Sequence, residues 1–169
     1  MDNRLSESMA DSMTLAENHG IRRTRMILLK DYPDFTEVRS LLAECMWPDH
    51  ERISLELQKY MRDDSRILCG KTINNELVGL VGFIRLSAKE VELKHIAVRS
   101  DFRRQGIGKA MIYEYVMANG IRKMIAETDK DAVNFYRKIG FETMSLGEKY
   151  PGVERFQCVL SIRRANCGL

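Results

Sequence analysis

A strand, a glycine-containing loop and a helix follow one another between residues 91 and 119, and this succession constrains the fold more than any other part of the chain. Residues 91–98, Val-Glu-Leu-Lys-His-Ile-Ala-Val, are typical of a β-strand. The loop contains Gly106 and Gly108, and the helix after it has an apolar face made of Ile107, Met111, Ile112, Tyr115 and Val116. A strand-like segment at 124–128 then completes a β-α-β unit.

The patterns on both sides of this unit predict one α/β (α+β) domain. Before it, a strand at 26–29 precedes two helices, the first with the capping-box spacing of Asp34 and Glu37 and the second capped by Asp49. Strands at 66–72 and 77–86 flank Asn74-Asn75, whose tolerance of positive φ predicts a hairpin. A helix that stops at Gly140 and two more strands follow. This order predicts helices that cover a largely antiparallel sheet.

Length and charge exclude several classes of protein. A chain of 169 residues with 44% hydrophobic content can form one core, and a formal charge of +3 is too small to indicate a nucleic-acid binder. No apolar run approaches the roughly 20 residues of a membrane-spanning helix, and residues 1–20 lack the apolar centre of a signal peptide. Residues 1–25 are polar and predict a flexible or loosely docked extension before a domain at 26–169. We therefore expect a cytoplasmic protein that binds neither nucleic acid nor membrane.

The four cysteines predict neither a metal site nor a disulfide framework. They are Cys45, Cys69, Cys158 and Cys167, without any C-x-x-C spacing and without clustered histidines. We expect them to be reduced and mostly to pack in the interior, and we expect no metal.

The loop before the long helix has the composition of a phosphate-binding segment. A helix N-terminus presents unpaired N–H groups, glycines let a phosphate approach the backbone, and Arg103, Arg104 and Lys109 add positive charge. A P-loop does not fit, because it needs glycine where Arg103 stands and Ser or Thr where Ala110 stands. A dinucleotide fingerprint does not fit either, because its third glycine would fall at Met111.

The remaining spacing, R-x-x-G-x-G at Arg103, Gly106 and Gly108, resembles the pyrophosphate-binding signature of the GNAT superfamily of acetyl-CoA-dependent N-acetyltransferases. Residues 91–98 resemble the family's fourth strand, and residues 132–141 resemble its A-x-x-x-Y-x-x-x-G-F segment. The resemblance extends over about residues 26–162. It implies a single GNAT-like domain with a mixed, mostly antiparallel sheet that is splayed between the fourth and fifth strands.

The resemblance implies acetyl-CoA as the cofactor and also where it binds. Its pyrophosphate would lie on the loop residues Arg103, Arg104, Gln105, Gly106, Ile107, Gly108 and Lys109. Its pantetheine arm would pair with the backbone of Ile96, Ala97 and Val98, much as an added strand would. Asp129 stands where many members have Asn. Because a carboxylate accepts hydrogen bonds but cannot donate them, Asp129 either contacts this arm or caps the next helix.

Two residues match positions with catalytic roles in the family. Tyr136 matches a tyrosine that often lies near the CoA sulfur and can protonate the departing thiolate, and Glu92 matches a glutamate that some members use as a base. Tyr136 is otherwise a half-buried aromatic, and Glu92 an exposed carboxylate paired with Lys94 or Arg85. His95 is a rival base, although strand alternation places it on the face opposite Glu92 unless a bulge intervenes.

The junction between the first two helices is predicted to select the acceptor. In the GNAT fold it borders the acceptor side of the cleft, where carboxylates and an aromatic face attract a cationic amine. The residues concerned are Trp47, Asp49, His50 and Glu51, and Glu56 is a further candidate. The alternative is that Trp47 packs between the helices and Asp49 merely caps the second one.

These observations lead to the expectation of an N-acetyltransferase that moves acetyl directly from acetyl-CoA to a primary amine of a small molecule. Three alternatives stay open at this point. They are a protein or peptide amine acetyltransferase, a non-catalytic CoA-binding module, and an aminoglycoside 6'-N-acetyltransferase, which Met46-Trp47-Pro48 loosely resembles. The resemblance also allows a homodimer.

Overall fold

The computed structural model describes residues 23–163, which form a seven-stranded sheet with helices on both faces. The elements in chain order are β1 (Thr24–Leu28), α1 (Phe35–Ala43), α2 (His50–Arg62), β2 (Arg66–Ile73), β3 (Glu76–Arg85), β4 (Glu90–Val98), a 3-10 turn (Ser100–Phe102), α3 (Ile107–Asn119), β5 (Lys123–Asp129), α4 (Val133–Lys138), β6 (Glu142–Tyr150) and β7 (Val153–Ser161). The strands lie in the order β1-β2-β3-β4-β5-β7-β6, and β4 and β5 are parallel while all other neighbours are antiparallel. The predicted fold class is confirmed.

Local signals in the sequence set several of these boundaries. The Asp34 carboxylate accepts hydrogen bonds from the backbone amides of Thr36 and Glu37, so it caps α1 as predicted. The turn between β2 and β3 consists of Asn74 at φ 52° and Asn75 at φ 69°, the conformation of a two-residue hairpin. Gly120, at φ 60°, ends α3.

A β-bulge interrupts β4 at Lys94. On β3, Gly82 pairs with His95 and Phe83 pairs with Leu93, so Lys94 is an extra residue without a partner. Side chains alternate along a strand, and the extra residue shifts that alternation by one. Consequently Leu93 and Ile96, three positions apart, both pack on the α3 side of the sheet.

The pairing between β4 and β5 is short, and the two strands then separate. Residues 90–93 of β4 pair with residues 123–126 of β5, but the next residues of β4, up to Val98, have no partner on β5. The remaining part of β5 pairs only with β7. The predicted splay between the fourth and fifth strands is therefore present, and it opens a gap through the sheet.

The sheet separates two apolar cores. The core under α1 and α2 includes Leu29, Val38, Leu42, Leu57 and Leu80, and the core under α3 and α4 includes Phe83, Met111, Ile112, Met124 and Cys158. Phe83 stacks on Tyr115 of α3 with 3.9 Å between ring centroids. The two cores lie on opposite faces of the sheet, and β4 contributes Leu93 to one and Ala97 to the other.

Of the predicted N-terminal extension at 1–25, residues 1–22 lie outside the described residues, and Thr24 and Arg25 belong to β1. Cys45, Cys69 and Cys158 are free thiols, and Cys167 also lies outside the described range. Within residues 23–163, no helix is long and apolar enough to cross a membrane. The cytoplasmic location stays a prediction.

Gly70 in β2 allows a close approach that gives a test of the packing under α1. A Cβ at this position would lie 2.6 Å from Leu77 Cδ1 and 2.7 Å from Leu29 Cδ2, both inside the core. We expect Gly70→Ala to lower the free energy of unfolding by about 1–3 kcal/mol, because the packed leucines must move. Chemical denaturation measures this. Glu142→Ala, at an exposed position of β6, serves as the control, and equal stability of the two variants would contradict the packing described here.

Candidate active site

A cleft of about 680 Å³ lies where β4 and β5 separate. It is bounded by the end of β4, the loop before α3, the first turn of α3 and one side of α4. Most of the residues predicted to bind the cofactor line it: Ile96, Ala97, Val98, Arg103, Arg104, Gly106, Ile107, Gly108, Lys109 and Tyr136. The structure thus brings together segments that are up to about 40 residues apart in the sequence.

The N-terminus of α3 has the geometry of an anion cradle. Gly106 occupies the cap position at φ 78°, no side chain caps the helix, and the first intrahelical bond runs from the Ala110 amide to the Gly106 carbonyl. The amides of residues 107–109 therefore have no acceptor within the helix. No atom lies within 4 Å of a Cβ built on Gly106, so the backbone there is open to a ligand. These features fit a pyrophosphate.

Gly108 lines the cleft and also has a packing role that the sequence did not predict. A Cβ at Gly108 would lie 3.2 Å from the ring of Phe135, so this glycine lets α3 and α4 approach each other. Sequence reasoning missed five lining residues, namely Phe102, Ala132, Phe135, Lys138 and Ile139. A signal for four of them was present, because all but Phe102 lie within residues 132–141, the segment that also contains Tyr136.

Arg103 is held by protein groups. Its Nε donates to the Val98 carbonyl at 2.8 Å, and its Nη2 pairs with the Glu44 carboxylate at 2.8 Å. The guanidinium thus joins the end of β4 to the end of α1. Arg104, Lys109 and Lys138 are the other cationic side chains that line the cleft.

Asp129 and Gln105 do not line the cleft. Asp129 Oδ1 accepts hydrogen bonds from the amides of Asp131 and Ala132, as expected of a residue that shapes the turn before α4. Gln105 Nε2 donates to the Asp101 carbonyl. Because α4 has Ala132 in its cap position and no side-chain cap, Asp129 shapes the turn but does not cap the helix, and its contact with the pantetheine arm stays a prediction.

Tyr136 lies on the wall of the cleft, and its ring makes edge contacts with Phe135 and Phe141. Burial, followed by the nearby Cys158, Cys45 and Asp129, raises the pKa of its hydroxyl above the ordinary value. Within residues 23–163, its hydroxyl makes no hydrogen bond, and no fully buried side-chain oxygen lacks a partner. The hydroxyl is therefore not fully buried, and it is protonated at neutral pH.

Glu92 and His95 lie on the other face of the sheet, beneath α2. Because of the bulge at Lys94, they share this face, which corrects the expectation from plain strand alternation. The Glu92 carboxylate pairs with Lys94 at 3.0 Å. His95 Nδ1 lies 2.8 Å from the Tyr60 hydroxyl of α2. Burial is the main cause that lowers the pKa of His95 to about 4.

Cys45 lies close enough to both faces of the sheet to affect a tyrosine on each. It follows α1, and its charged form would affect the pKa of Tyr60 on one face and of Tyr136 on the other. Burial raises the pKa of the Cys45 thiol to about 12, an effect that a hydrogen bond with the Ile96 backbone partly offsets. A thiol with this pKa is a poor nucleophile at neutral pH.

The structure does not gather the predicted acceptor residues at the cleft. Trp47 is 78% exposed, so it does not pack between the helices. Asp49 caps α2 by accepting hydrogen bonds from the amides of Glu51 and Arg52. His50 and Glu51 line a shallow depression on the outer side of α2. Glu56, the further candidate, belongs to α2, and its carboxylate pairs with Lys59 and Arg66.

Two curated relatives resemble part of this sequence. An uncharacterised N-acetyltransferase of Bacillus methanolicus is 31% identical over 64 residues, which are 38% of this chain and 53% of that protein. A peptidyl-lysine N-acetyltransferase of Salmonella typhimurium is 33% identical over 78 residues, which are 42% of this chain and 52% of that protein. The chain thus spans about half the length of the curated relatives it matches.

Solved structures share the fold at low sequence identity. A GNAT-family acetyltransferase of Desulfovibrio desulfuricans superposes with a TM-score of 0.69 at 16% identity, over 82% of this chain and 99% of that one. A GNAT-family acetyltransferase of Elizabethkingia anophelis, with acetyl-CoA bound, gives a TM-score of 0.61 at 19% identity, over 82% of this chain and 98% of that one. A spermidine/spermine N-acetyltransferase of Vibrio cholerae gives a TM-score of 0.64 at 15% identity, over 82% of this chain and 92% of that one. The model of the acetyltransferase (GNAT) family matches residues 30–141, and the chain belongs to this family of acyltransferases.

Proposed function

We propose that this chain transfers the acetyl group of acetyl-CoA directly to the primary amine of a small molecule. The observation that carries the proposal is the gap between β4 and β5. Beyond Leu93, β4 has no partner on β5, and this part of β4 lines the cleft beside Tyr136 on one side, while Glu92 and His95 of the same strand lie on the α2 side of the sheet. An amine that arrives from the α1–α2 side would meet an acetyl group lodged in this gap.

The residues around the gap supply the groups that amine acetylation needs. Acetyl-CoA, when bound, supplies a thioester whose carbonyl carbon an amine can attack. Beyond Leu93, β4 has no partner on its β5 side, so backbone amides that point to that side are available to donate to the carbonyl oxygen. Tyr136 is proposed to protonate the departing sulfur. Glu92 and His95 are the two candidates to remove the amine's proton, of which the sequence favoured Glu92.

The acceptor is proposed to be cationic. Glu44, Glu56 and Glu92 lie on the α1–α2 side, although Arg103, Arg66 and Lys94 pair with them. The spermidine/spermine acetyltransferase fold supports a polyamine as one candidate. The relative that acetylates peptidyl-lysine supports a lysine side chain as the second. An aminoglycoside, the third candidate, is supported only by the sequence Met46-Trp47-Pro48.

An acceptor screen tests the proposal. Acetyl-CoA and the purified chain are incubated with polyamines, amino sugars, amino-acid amides and lysine peptides, and the release of CoA thiol is followed. Turnover with a small amine supports the proposal, and turnover with peptides alone replaces it by the second candidate. Tight acetyl-CoA binding without thiol release for any amine would indicate a non-catalytic module instead.

The predicted acceptor role of Trp47 and Asp49 gives a prediction for this screen. Trp47→Leu and Asp49→Asn are expected to raise the acceptor KM several-fold and to leave the affinity for acetyl-CoA unchanged. Asn still caps a helix, so Asp49→Asn removes the charge while α2 keeps its cap. Phe35→Leu, an exposed aromatic at the other end of α1, is the control. Unchanged acceptor kinetics in both variants would move the acceptor site elsewhere.

A further inference from the structure

We infer that His95 takes the proton from the acceptor amine and that Tyr60 positions its imidazole for this step. The inference deepens the proposed function and rests on it. Its basis is the contact of 2.8 Å between the Tyr60 hydroxyl and His95 Nδ1, which joins α2 to the strand that lines the gap. The Tyr60 and His95 rings also make an edge contact at 5.7 Å between centroids.

Two features of the chain make this contact possible. The bulge at Lys94 turns His95 toward α2. Gly82, the partner of His95 on β3, then leaves room for Tyr60 to pass over the strand. A Cβ at Gly82 would lie 2.2 Å from the Tyr60 hydroxyl oxygen and 2.7 Å from Cζ of its ring, so no other residue fits here without displacing the tyrosine.

The hydrogen bond at Nδ1 sets the chemistry of the opposite ring nitrogen. We assign Nδ1–H as the donor to the Tyr60 hydroxyl oxygen across this contact of 2.8 Å, which leaves Nε2 with its lone pair. Nε2 makes no hydrogen bond with any residue between 23 and 163, and among these residues no fully buried side-chain nitrogen lacks a partner. Nε2 is therefore accessible from outside, as a proton acceptor must be.

The surroundings keep His95 neutral, so its lone pair is available at physiological pH. The charged groups that face it are Glu56 and Lys59 of α2, Arg66 of β2 and Lys94 of β4. Glu56 favours the imidazolium, but burial and the three cations favour the neutral ring, and the pKa falls to about 4. Although such a base is weak, the amine nitrogen becomes much more acidic as it bonds to carbon, and the proton can then move to Nε2.

Glu92 has a different role in this arrangement. Its carboxylate already holds the ammonium group of Lys94 at 3.0 Å. We therefore assign to Glu92 the attraction of the ammonium group of the acceptor, which would take the place of Lys94. The acceptor ammonium first releases one proton to solvent. The neutral amine nitrogen then forms the bond to the acetyl carbon, and the carbon–sulfur bond breaks. His95 Nε2 receives the nitrogen's proton and passes it to solvent, while the sulfur leaves as a thiol with the proton of Tyr136, which solvent replaces.

Nitrogen NMR of the histidine rings tests the positioning without any acceptor. The chain has only 3 histidines, so His95→Asn assigns the resonances of His95 in ¹⁵N-histidine-labelled protein. We expect Nδ1 protonated and Nε2 unprotonated in the parent chain, and a mixture of tautomers in Tyr60→Phe. Tyr115→Phe, which removes a hydroxyl from the other core, should leave the signals unchanged. A protonated Nε2 in the parent would overturn the inference.

Kinetics with an accepted amine tests the chemical role. We expect His95→Asn to lower kcat by about 100-fold or more, Tyr60→Phe by about 10-fold, and Glu92→Gln to act mainly on the acceptor KM. Gly82→Ala, which displaces Tyr60, should lower kcat about as much as Tyr60→Phe does. If Gly82→Ala does not fold, kcat of Tyr60→Phe alone tests the positioning role. A large loss of kcat in Glu92→Gln with none in His95→Asn would contradict the assignment. Failure of every amine would instead contradict the proposed function, and the NMR result would still stand.

Discussion

Replacement of Gly106 by valine is expected to abolish acetyl-CoA binding while the domain stays folded. Nothing lies within 4 Å of a Cβ at this position, so the side chain would project into open space in front of the unpaired amides of α3. A pyrophosphate would have to occupy the same space. We expect the affinity for acetyl-CoA to fall by at least about 100-fold in calorimetric titration.

The chain offers a matched control for this variant. Gly147 in β6 has the same φ of 78° and equally open surroundings, but it lies outside the cleft. Gly147→Val therefore imposes the same backbone strain, of the order of 1–3 kcal/mol, without blocking the ligand. Its affinity should match that of the parent. If folded Gly106→Val bound acetyl-CoA as tightly as Gly147→Val does, the pyrophosphate would have to lie elsewhere.

Removal of the Tyr136 hydroxyl is expected to lower turnover by about 100-fold or more. Tyr136 lines the cleft, and its hydroxyl is protonated at neutral pH, so Tyr136→Phe would remove the proposed proton donor of the departing sulfur. The phenylalanine ring preserves the edge contacts with Phe135 and Phe141, so acetyl-CoA affinity should change little. Single-turnover measurements isolate the chemical step.

Tyr115→Phe is the comparison for Tyr136→Phe as well. Tyr115 is a buried tyrosine stacked on Phe83, away from the cofactor cleft, and its loss of a hydroxyl should leave the chemical step unchanged. Equal single-turnover rates in Tyr136→Phe and the parent chain would mean that solvent or another residue protonates the sulfur.

Most of the fold could be predicted because its signals are local. Asp34 and Asp49 cap the helices they were expected to cap, and Asn74-Asn75 forms the predicted turn. The β4–β5 splay came from the family resemblance, since no local pattern encodes the absence of pairing. The bulge at Lys94 could not be located from β4 alone, because it depends on the register with Gly82 and Phe83 of β3.

The candidate site was predictable where the backbone forms it, and less so where side chains do. The loop around Gly106 and the strand residues Ile96 to Val98 line the cleft, as the motifs indicated. Arg103 lines the cleft as the motif indicated, but its contacts with Glu44 and the Val98 carbonyl were not predicted. A pattern of charges cannot show such a partner, because Glu44 is 59 residues away in the sequence. For the same reason the sequence could not pair Tyr60 with His95, which lies 35 residues later.

The single extra residue at Lys94 has a consequence for comparing this chain with other family members. In a relative without the bulge, a residue aligned with His95 by simple counting from Glu92 points to the opposite face of its sheet. Position-by-position alignment through β4 would then equate residues in different environments. The strand is better matched as two blocks, one anchored at Leu93 and one at Ile96, with an insertion between them. A histidine in the second block is the proper counterpart of His95.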